Sequence, residues 1–273
     1  MFATEVAWSQ ILGERKSQQD YAAIVSWPNG FRLLLLGDGM GGHIGGDIAS
    51  RSVLETFRDH FVHSEQADMR LRMIESLDVA NKELYQMAKA QPELTGMGTT
   101  LIALIYDGSS IQWLSVGDSP MWLVRGGNIT RINQNHSMSE ILAAKVQSGE
   151  MSPEEAARSP LRTQLLEAVM GENINMLDAP DSIIPLQEGD WLILASDGVE
   201  SCEEKDILKL TEIQPNSPEI FTLNLLKAVS DVGKPSQDNA SVVVMQVLGK
   251  DTEEPDTVQP ANGKMFEEPP TSH

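Results

Sequence analysis

The chain has 273 residues, with 40 Asp and Glu set against 20 Lys and Arg, giving a net charge of −20 at pH 7; 41% of residues are hydrophobic and 22% charged. That length fits one or two globular domains, of which one is the simpler reading, and the surplus of carboxylates repels nucleic acid and anionic membranes. It repels phosphorylated ligands too, unless the charge is reversed locally. The sequence holds no cluster of Lys and Arg, so bound cations are the better means of reversal.

No apolar run approaches the roughly 20 residues that cross a bilayer. Residues 1–10 include Glu5 and lack a basic segment followed by an apolar one, so no secretion signal is expected and a cytoplasmic location is the default. Cys202 is the single cysteine, which excludes an internal disulfide and disfavours a thiolate zinc site.

In chain order, residues 21–27 and 31–36 are apolar runs bounded by turn residues and are predicted as strands. Residues 46–90 follow as a long helical stretch, where Leu71, Ile74, Leu77, Ala80, Leu84 and Met87 recur at helical spacing and suit core packing. Strands are predicted again at 99–106, 111–116 and 121–124, the last closed by Arg125-Gly126-Gly127-Asn128 as a hairpin would be. Helix is expected across 139–168, with Ser152-Pro153-Glu154-Glu155 as a capped start. A strand at 190–195, a helix at 217–230 opened by Ser217-Pro218-Glu219, and a strand at 241–248 complete the series. Strands grouped together and helices grouped apart indicate α+β layers. Residues 1–248 form the expected domain. From 249 on, periodicity stops, and Asp251, Glu253, Glu254, Asp256, Glu267 and Glu268 face only Lys250 and Lys264, so 249–273 is predicted to be a disordered acidic tail.

The chemistry lies in the aspartates. A buried strand at 33–36 runs into Gly37-Asp38-Gly39-Met40-Gly41-Gly42-His43, delivering a carboxylate among glycines that allow close backbone approach. The pattern recurs at Leu114-Ser115-Val116-Gly117-Asp118-Ser119 and Leu192-Ile193-Leu194-Ala195-Ser196-Asp197-Gly198, while Asp20 and Asp238 precede strands. In antiparallel sheets the starts of some strands lie beside the ends of others, which lets all five carboxylates meet at one edge. Five such groups repel one another unless cations neutralise them, and oxygen-only ligands select Mg²⁺ or Mn²⁺. A single Asp-Gly ordinarily caps a turn; five in this placement carry more weight.

Other phosphate chemistries fit less well. The glycines of 39–46 are not followed by Lys-Ser or Lys-Thr, as a nucleotide P-loop requires. A cysteine-dependent phosphatase needs an arginine six residues after its nucleophile, and Leu208 holds that place relative to Cys202. There is no Gly-x-Ser-x-Gly elbow. His60, His63 and His136 lack zinc-ligand partners and are read as surface or packing residues.

The ordered set Arg15-Lys16-Ser17-Gln18-Gln19-Asp20, Asp38-Gly39-Met40-Gly41-Gly42-His43, Gly96-Met97-Gly98-Thr99-Thr100, Gly117-Asp118-Ser119, Gly189-Asp190 leading to Ser196-Asp197-Gly198, and Gln237-Asp238-Asn239 resembles the metal-dependent protein phosphatase family, protein phosphatase type 2C, in its compact bacterial form. The resemblance implies a central sandwich of two antiparallel β-sheets flanked by α-helices, a four-layer α-β-β-α arrangement with the metals at one edge. It implies that Asp38 bridges two metal ions whose shells are completed by the Gly39 carbonyl, Asp197 and Asp238. Asp20 acts at the second metal, and Asp118 holds a third, weaker ion that shares Asp197. Arg15 is implied to grip the phosphoryl oxygens, for which its planar fork is suited.

The implied reaction is hydrolysis of protein phosphoserine or phosphothreonine by a metal-bridged water in a single in-line displacement. Implied partners are phosphorylated proteins and an opposing Ser/Thr kinase, with no nucleic acid and no membrane. Residues 137–171 resemble the family's flap, an insertion beside the site that influences substrate choice. The sequence departs from the family pattern at Gln18, Pro120 and Asn135, none of them an implied ligand, and Met40 stands where many eukaryotic relatives carry a candidate general-acid histidine. Competing readings are a non-catalytic phosphoprotein-binding module on the same fold and a hydrolase of small phosphate esters. The first would show itself by loss of metal aspartates, and none is lost.

Overall fold

The computed structural model describes residues 1–213 and 216–250, with 42–44 and 250 described by their backbone alone. The elements run β1 (Phe2–Ile11), β2 (Asp20–Ser26), β3 (Arg32–Met40), α1 (Gly42–His63), α2 (Met69–Ala90), β4 (Gly98–Thr99), β5 (Leu101–Tyr106), β6 (Ser110–Val116), β7 (Met121–Arg125), β8 (Asn128–Arg131), α3 (Met138–Gln147), α4 (Pro153–Arg158), β9 (Ile184–Pro185), β10 (Trp191–Ala195), α5 (Glu204–Leu210), α6 (Pro218–Asp231) and β11 (Ala240–Lys250).

Two antiparallel sheets form. One has the order β1-β11-β10-β7-β8; the other has the order β2-β3-β5-β6-β9, with β4 paired to β3 beyond that path. Continuous apolar strands explain the stacking, because successive side chains point to opposite faces. On β3, Leu33 and Leu35 join the core under α1 and α2, whereas Leu34 and Leu36 join the core between the sheets. On β10, Leu192 and Leu194 face that same inter-sheet core, and Trp191, Ile193 and Ala195 face a third core under α5 and α6. Both faces of both sheets are thereby covered, which gives the four layers α-β-β-α.

Several predicted boundaries change. The helical stretch 46–90 divides into α1 and α2, because Asp68 caps a new helix by accepting the Leu71 N–H. Helix across 139–168 reduces to α3 and α4. Gly149, with φ of 77°, follows α3, and α4 closes at Ser159, whose extended conformation (φ −63°, ψ 125°) is the one favoured before a proline, here Pro160. Both predicted helix starts hold: Ser152 forms a capping box with Glu155, and the Ser217 hydroxyl accepts the Ile220 N–H. The hairpin is also present, with Arg125 opposite Asn128 and Gly126 and Gly127 both at positive φ, as a two-residue turn of this hand requires.

Strands β1 and β9 and helix α5 were not anticipated, and the strand predicted at 99–106 is divided into β4 and β5. Strand β11 continues through Gly249 and Lys250, and the rest of the predicted tail, 251–273, lies outside the described residues. Among the described residues no helix is long and apolar enough to cross a membrane.

Candidate active site

Strand register places the first two carboxylates. Asp20 and Asp38 are cross-strand partners in the β2–β3 ladder, so both aspartates lie within strands. Strand β3 runs past Asp38 because Gly39 and Met40 pair with Thr99 and Gly98 of β4. Asp38 is fixed by its backbone: its N–H donates to Thr100 Oγ1 at 2.9 Å, and its carbonyl accepts from Thr100 N–H at 2.9 Å and from Thr99 Oγ1 at 3.0 Å. Gly39 has no room for a side chain. A Cβ there would stand 2.1 Å from the Gly46 carbonyl oxygen and 2.4 Å from that of Gln19.

The other aspartates reach the same edge from the ends of different elements. Asp118 follows β6, Asp197 opens the short 3-10 turn Asp197–Ser201 after β10, and Asp238 precedes β11. Asp38, Gly39, Asp118, Asp197 and Asp238 line one cavity of about 390 Å³ with Arg15 and Met40. Asp20 sits behind it, buried. The Ser196 hydroxyl donates to its Oδ2 at 2.7 Å, while its Oδ1 is buried without a hydrogen-bond partner.

The electrostatics follow from this crowding. Burial lifts Asp20 to about 7 despite the Ser196 hydrogen bond, and the neighbouring Asp197 and Asp238 add to the shift. Burial, followed by repulsion from Asp20, Asp197, Asp238 and Asp118, holds Asp38 well above the usual carboxylate range. Asp118 is raised to about 7 by burial, with Asp197 and Glu200 adding repulsion. Asp197 is raised by burial and by Asp238, against a hydrogen bond from Asp38 and the fields of Lys234 and Arg15. Without cations the cluster is forced to retain protons.

Arg15 stands at the rim, 55% exposed, with Nη2 2.5 Å from Asp238 Oδ2. Among the described residues, no three Asp, Glu, His or Cys side chains are grouped closely enough to hold a metal ion as they stand. Asp238 is engaged by Arg15, and one oxygen of Asp20 by Ser196. The donor set nonetheless suits hard divalent cations: it is all oxygen, it repels itself, and it holds one buried carboxylate oxygen with no partner.

The sequence reading overlooked the supporting residues. Thr100 and Ser196 fix Asp38 and Asp20 as above, and Asn239 accepts the Gln19 N–H at 2.9 Å while donating to the Leu12 carbonyl at 2.8 Å. The available signal was a hydroxyl or amide residue beside each aspartate motif. His60, His63 and His136 stay outside the cavity lining. His60 Nδ1 meets Ser76 Oγ at 3.0 Å and His63 Nδ1 meets the Asp59 carbonyl at 2.7 Å. His136 is buried, and its Nδ1 accepts the Gly117 N–H at 3.2 Å, bracing the loop that carries Asp118.

Residues 137–171 are tied to the same framework. Thr99 and Val169 exchange backbone hydrogen bonds of 3.0 and 2.9 Å, and residues 136–138 pair with 164–166. Val169 therefore connects to Asp38 through the single residue Thr99.

This architecture is the one the sequence motifs imply. The family model for protein phosphatase 2C matches residues 12–229, and the chain belongs to that family. Serine/threonine protein phosphatase PstP of Mycobacterium tuberculosis is 30% identical over 225 residues, covering 81% of this chain; the chain spans only 41% of the length of PstP. Serine/threonine phosphatase stp of Listeria welshimeri is 28% identical over 242 residues, covering 85% of this chain and 91% of that protein. Among solved structures, the S. agalactiae serine/threonine phosphatase aligns with a TM-score of 0.79 at 26% identity, covering 89% of this chain and 99% of that one. The catalytic domain of PstP, solved in complex with two manganese ions, aligns with a TM-score of 0.74 at 26% identity, covering 91% of this chain and all of that one.

Proposed function

We propose that the chain is a metal-dependent phosphatase acting on phosphoserine and phosphothreonine in proteins. One observation carries this reading: five aspartates, three from one sheet and two from the other, converge at one end of the sandwich, where burial and mutual repulsion raise Asp20, Asp38, Asp118 and Asp197. Nothing in the packing requires that repulsion, whereas a cation site does. The names of the relatives supply the substrate class.

In this reading Asp38, the Gly39 carbonyl, Asp197 and Asp238 hold two divalent cations, Mn²⁺ or Mg²⁺, with Asp20 at the second and Asp118 joining Asp197 at a third, weaker one. Bound there, the ions lower the pKa of water to yield a nucleophile near neutral pH and offset charge on the phosphoryl group. The protein's own part is positional. Thr99 and Thr100 fix Asp38, and Ser196 holds one oxygen of Asp20, leaving the other without a hydrogen-bond partner. Arg15 exchanges its partner Asp238 for the phosphoryl oxygens of the substrate, which a planar guanidinium binds in bidentate fashion. Met40 has no proton to give, so the departing serine or threonine oxygen takes one from water.

Residues 1–248 act as the catalytic domain, with 137–171 as its flap. A cytoplasmic setting opposite a Ser/Thr kinase completes the proposal.

The deciding experiment measures phosphate release from a phosphothreonine peptide by metal-stripped protein with and without added Mn²⁺. Turnover that requires the metal is the expected result. A folded protein that binds the peptide but releases no phosphate at any metal concentration is a binding module instead.

A further inference from the structure

Beside the acidic cavity lies a smaller recess of about 160 Å³ that shares Asp118, Thr163 and Asp197 with it. Two basic side chains, Arg162 and Lys234, line this recess and are exposed. Among the described residues neither forms an ion pair. The site's other arginines differ: Arg15 meets Asp238 at 2.5 Å and Arg131 meets Glu200 at 3.5 Å. The lining also carries the hydroxyls of Ser137 and Ser139, 2.8 Å apart, with Asn135 Nδ2 donating to Ser139 Oγ at 3.0 Å.

Three carboxylates also border the recess. Glu200 is engaged by Arg131, and Asp118 and Asp197 belong to the cation site. Arg162 adds to the field on Glu200 and Lys234 to that on Asp197, but neither is held in a contact ion pair among the described residues, so both can still turn toward an incoming group. In a chain of net charge −20, two exposed cations without contact ion pairs beside the reaction site make a local exception that long-range repulsion does not erase, because solvent screens exposed charges beyond about 8 to 10 Å.

We propose that this recess is a second anionic subsite, which takes a carboxylate or phosphoryl group carried by the substrate close in sequence to the residue being dephosphorylated. The two cavities share a wall, and an extended chain advances about 3.3–3.6 Å per residue, so the second group lies within about two residues of the first. The inference rests on the phosphatase reading and narrows its substrates to phosphoproteins that are acidic or doubly phosphorylated around the target. Arg162 belongs to the flap segment and Lys234 to the turn before β11, so the subsite exists only when those two segments stand together.

The test uses the full chain with Mn²⁺ and a set of phosphothreonine peptides in which each neighbouring position carries alanine, glutamate or phosphoserine in turn. At the favoured position the acidic peptide is expected to exceed the alanine peptide in kcat/KM by roughly five- to tenfold, chiefly through KM, the size of a partly screened charge contact. Glutamate and phosphoserine peptides distinguish a carboxylate from a phosphoryl ligand. Arg162→Ala and Lys234→Ala should each shrink the preference, and Lys234→Glu should invert it. Equal kcat/KM for acidic and alanine peptides at every position, or a preference that survives all three substitutions, overturns the subsite. Absence of turnover on every peptide overturns the phosphatase reading and the subsite with it.

Discussion

Asp20 and Asp38 stand directly opposite each other in the β2–β3 ladder, a placement in which like charges destabilise a sheet. Both are held above the ordinary carboxylate range, so the sheet edge is stable either when it keeps protons or when a cation lies among the carboxylates.

Stability of the metal-free protein is therefore expected to fall as pH rises from about 4 to 7. Asp20 and Asp118 titrate near 7 in the folded chain but near 3.9 when unfolded. Across that window the folded state binds more protons than the unfolded one, and stability declines with pH. Thermal melts of chelator-treated protein should show the decline, and Mn²⁺ should raise the melting temperature more at pH 7.5 than at pH 5. Rising stability from pH 4 to 7 without metal would contradict the arrangement of charges.

Asp38→Asn and Asp238→Asn should each remove most activity while leaving the fold intact, since each deletes a carboxylate from the cation pair but keeps its shape. Circular dichroism controls for folding, and turnover at limiting Mn²⁺ reads the effect. Near-normal rates in either folded variant would displace the proposed site.

Asp118→Asn should act more gently on cation binding, because the residue is assigned to an accessory ion. A fall in kcat is expected with both tighter sites retained in calorimetric titration; disappearance of those two sites would place Asp118 in the main pair.

Arg15→Ala should raise KM for phosphopeptides by an amount corresponding to roughly 1–2 kcal/mol, a charge-assisted contact reduced by solvent screening. Its partner Asp238 is released by the same change, so Mn²⁺ affinity should hold or increase. Weaker Mn²⁺ binding with unchanged KM would show that Arg15 supports the metal site rather than the substrate.

Gly39→Ala should destabilise the fold by about 1–3 kcal/mol or more, the usual cost of forcing volume into a packed site. The new Cβ would meet two carbonyl oxygens of the backbone, at 2.1 and 2.4 Å, which cannot turn aside as a side chain does. Denaturant midpoints measure the loss, and a wild-type midpoint would mean that α1 and β3 are less tightly joined than the structure shows.

The amino-acid sequence determined much of this by itself. Continuous apolar runs such as Leu33-Leu34-Leu35-Leu36 demand burial on both faces and so imply a layered fold, and aspartates placed where those runs end or begin mark one edge as acidic. Capping residues Ser152 and Ser217 act within their own helix turns, which is why their signals survived into the structure. The break between α1 and α2 is also local, made by Asp68 after the polar stretch Ser64-Glu65-Gln66, a signal that the helical spacing of Leu71 to Met87, all within α2, did not register. Strand β1 was not anticipated, because Phe2, Val6 and Trp8 give an edge strand of half-buried residues only a weak pattern and its partner lies more than two hundred residues away in β11. What only the tertiary structure decided is which groups meet: Asp20 against Asp38, Ser196 on Asp20, Arg15 on Asp238, and Arg162 and Lys234 in the lining of one recess. Those pairings join segments remote in the chain, and their geometry depends on strand register and on the cores that hold the two sheets together, neither of which any short stretch of sequence encodes.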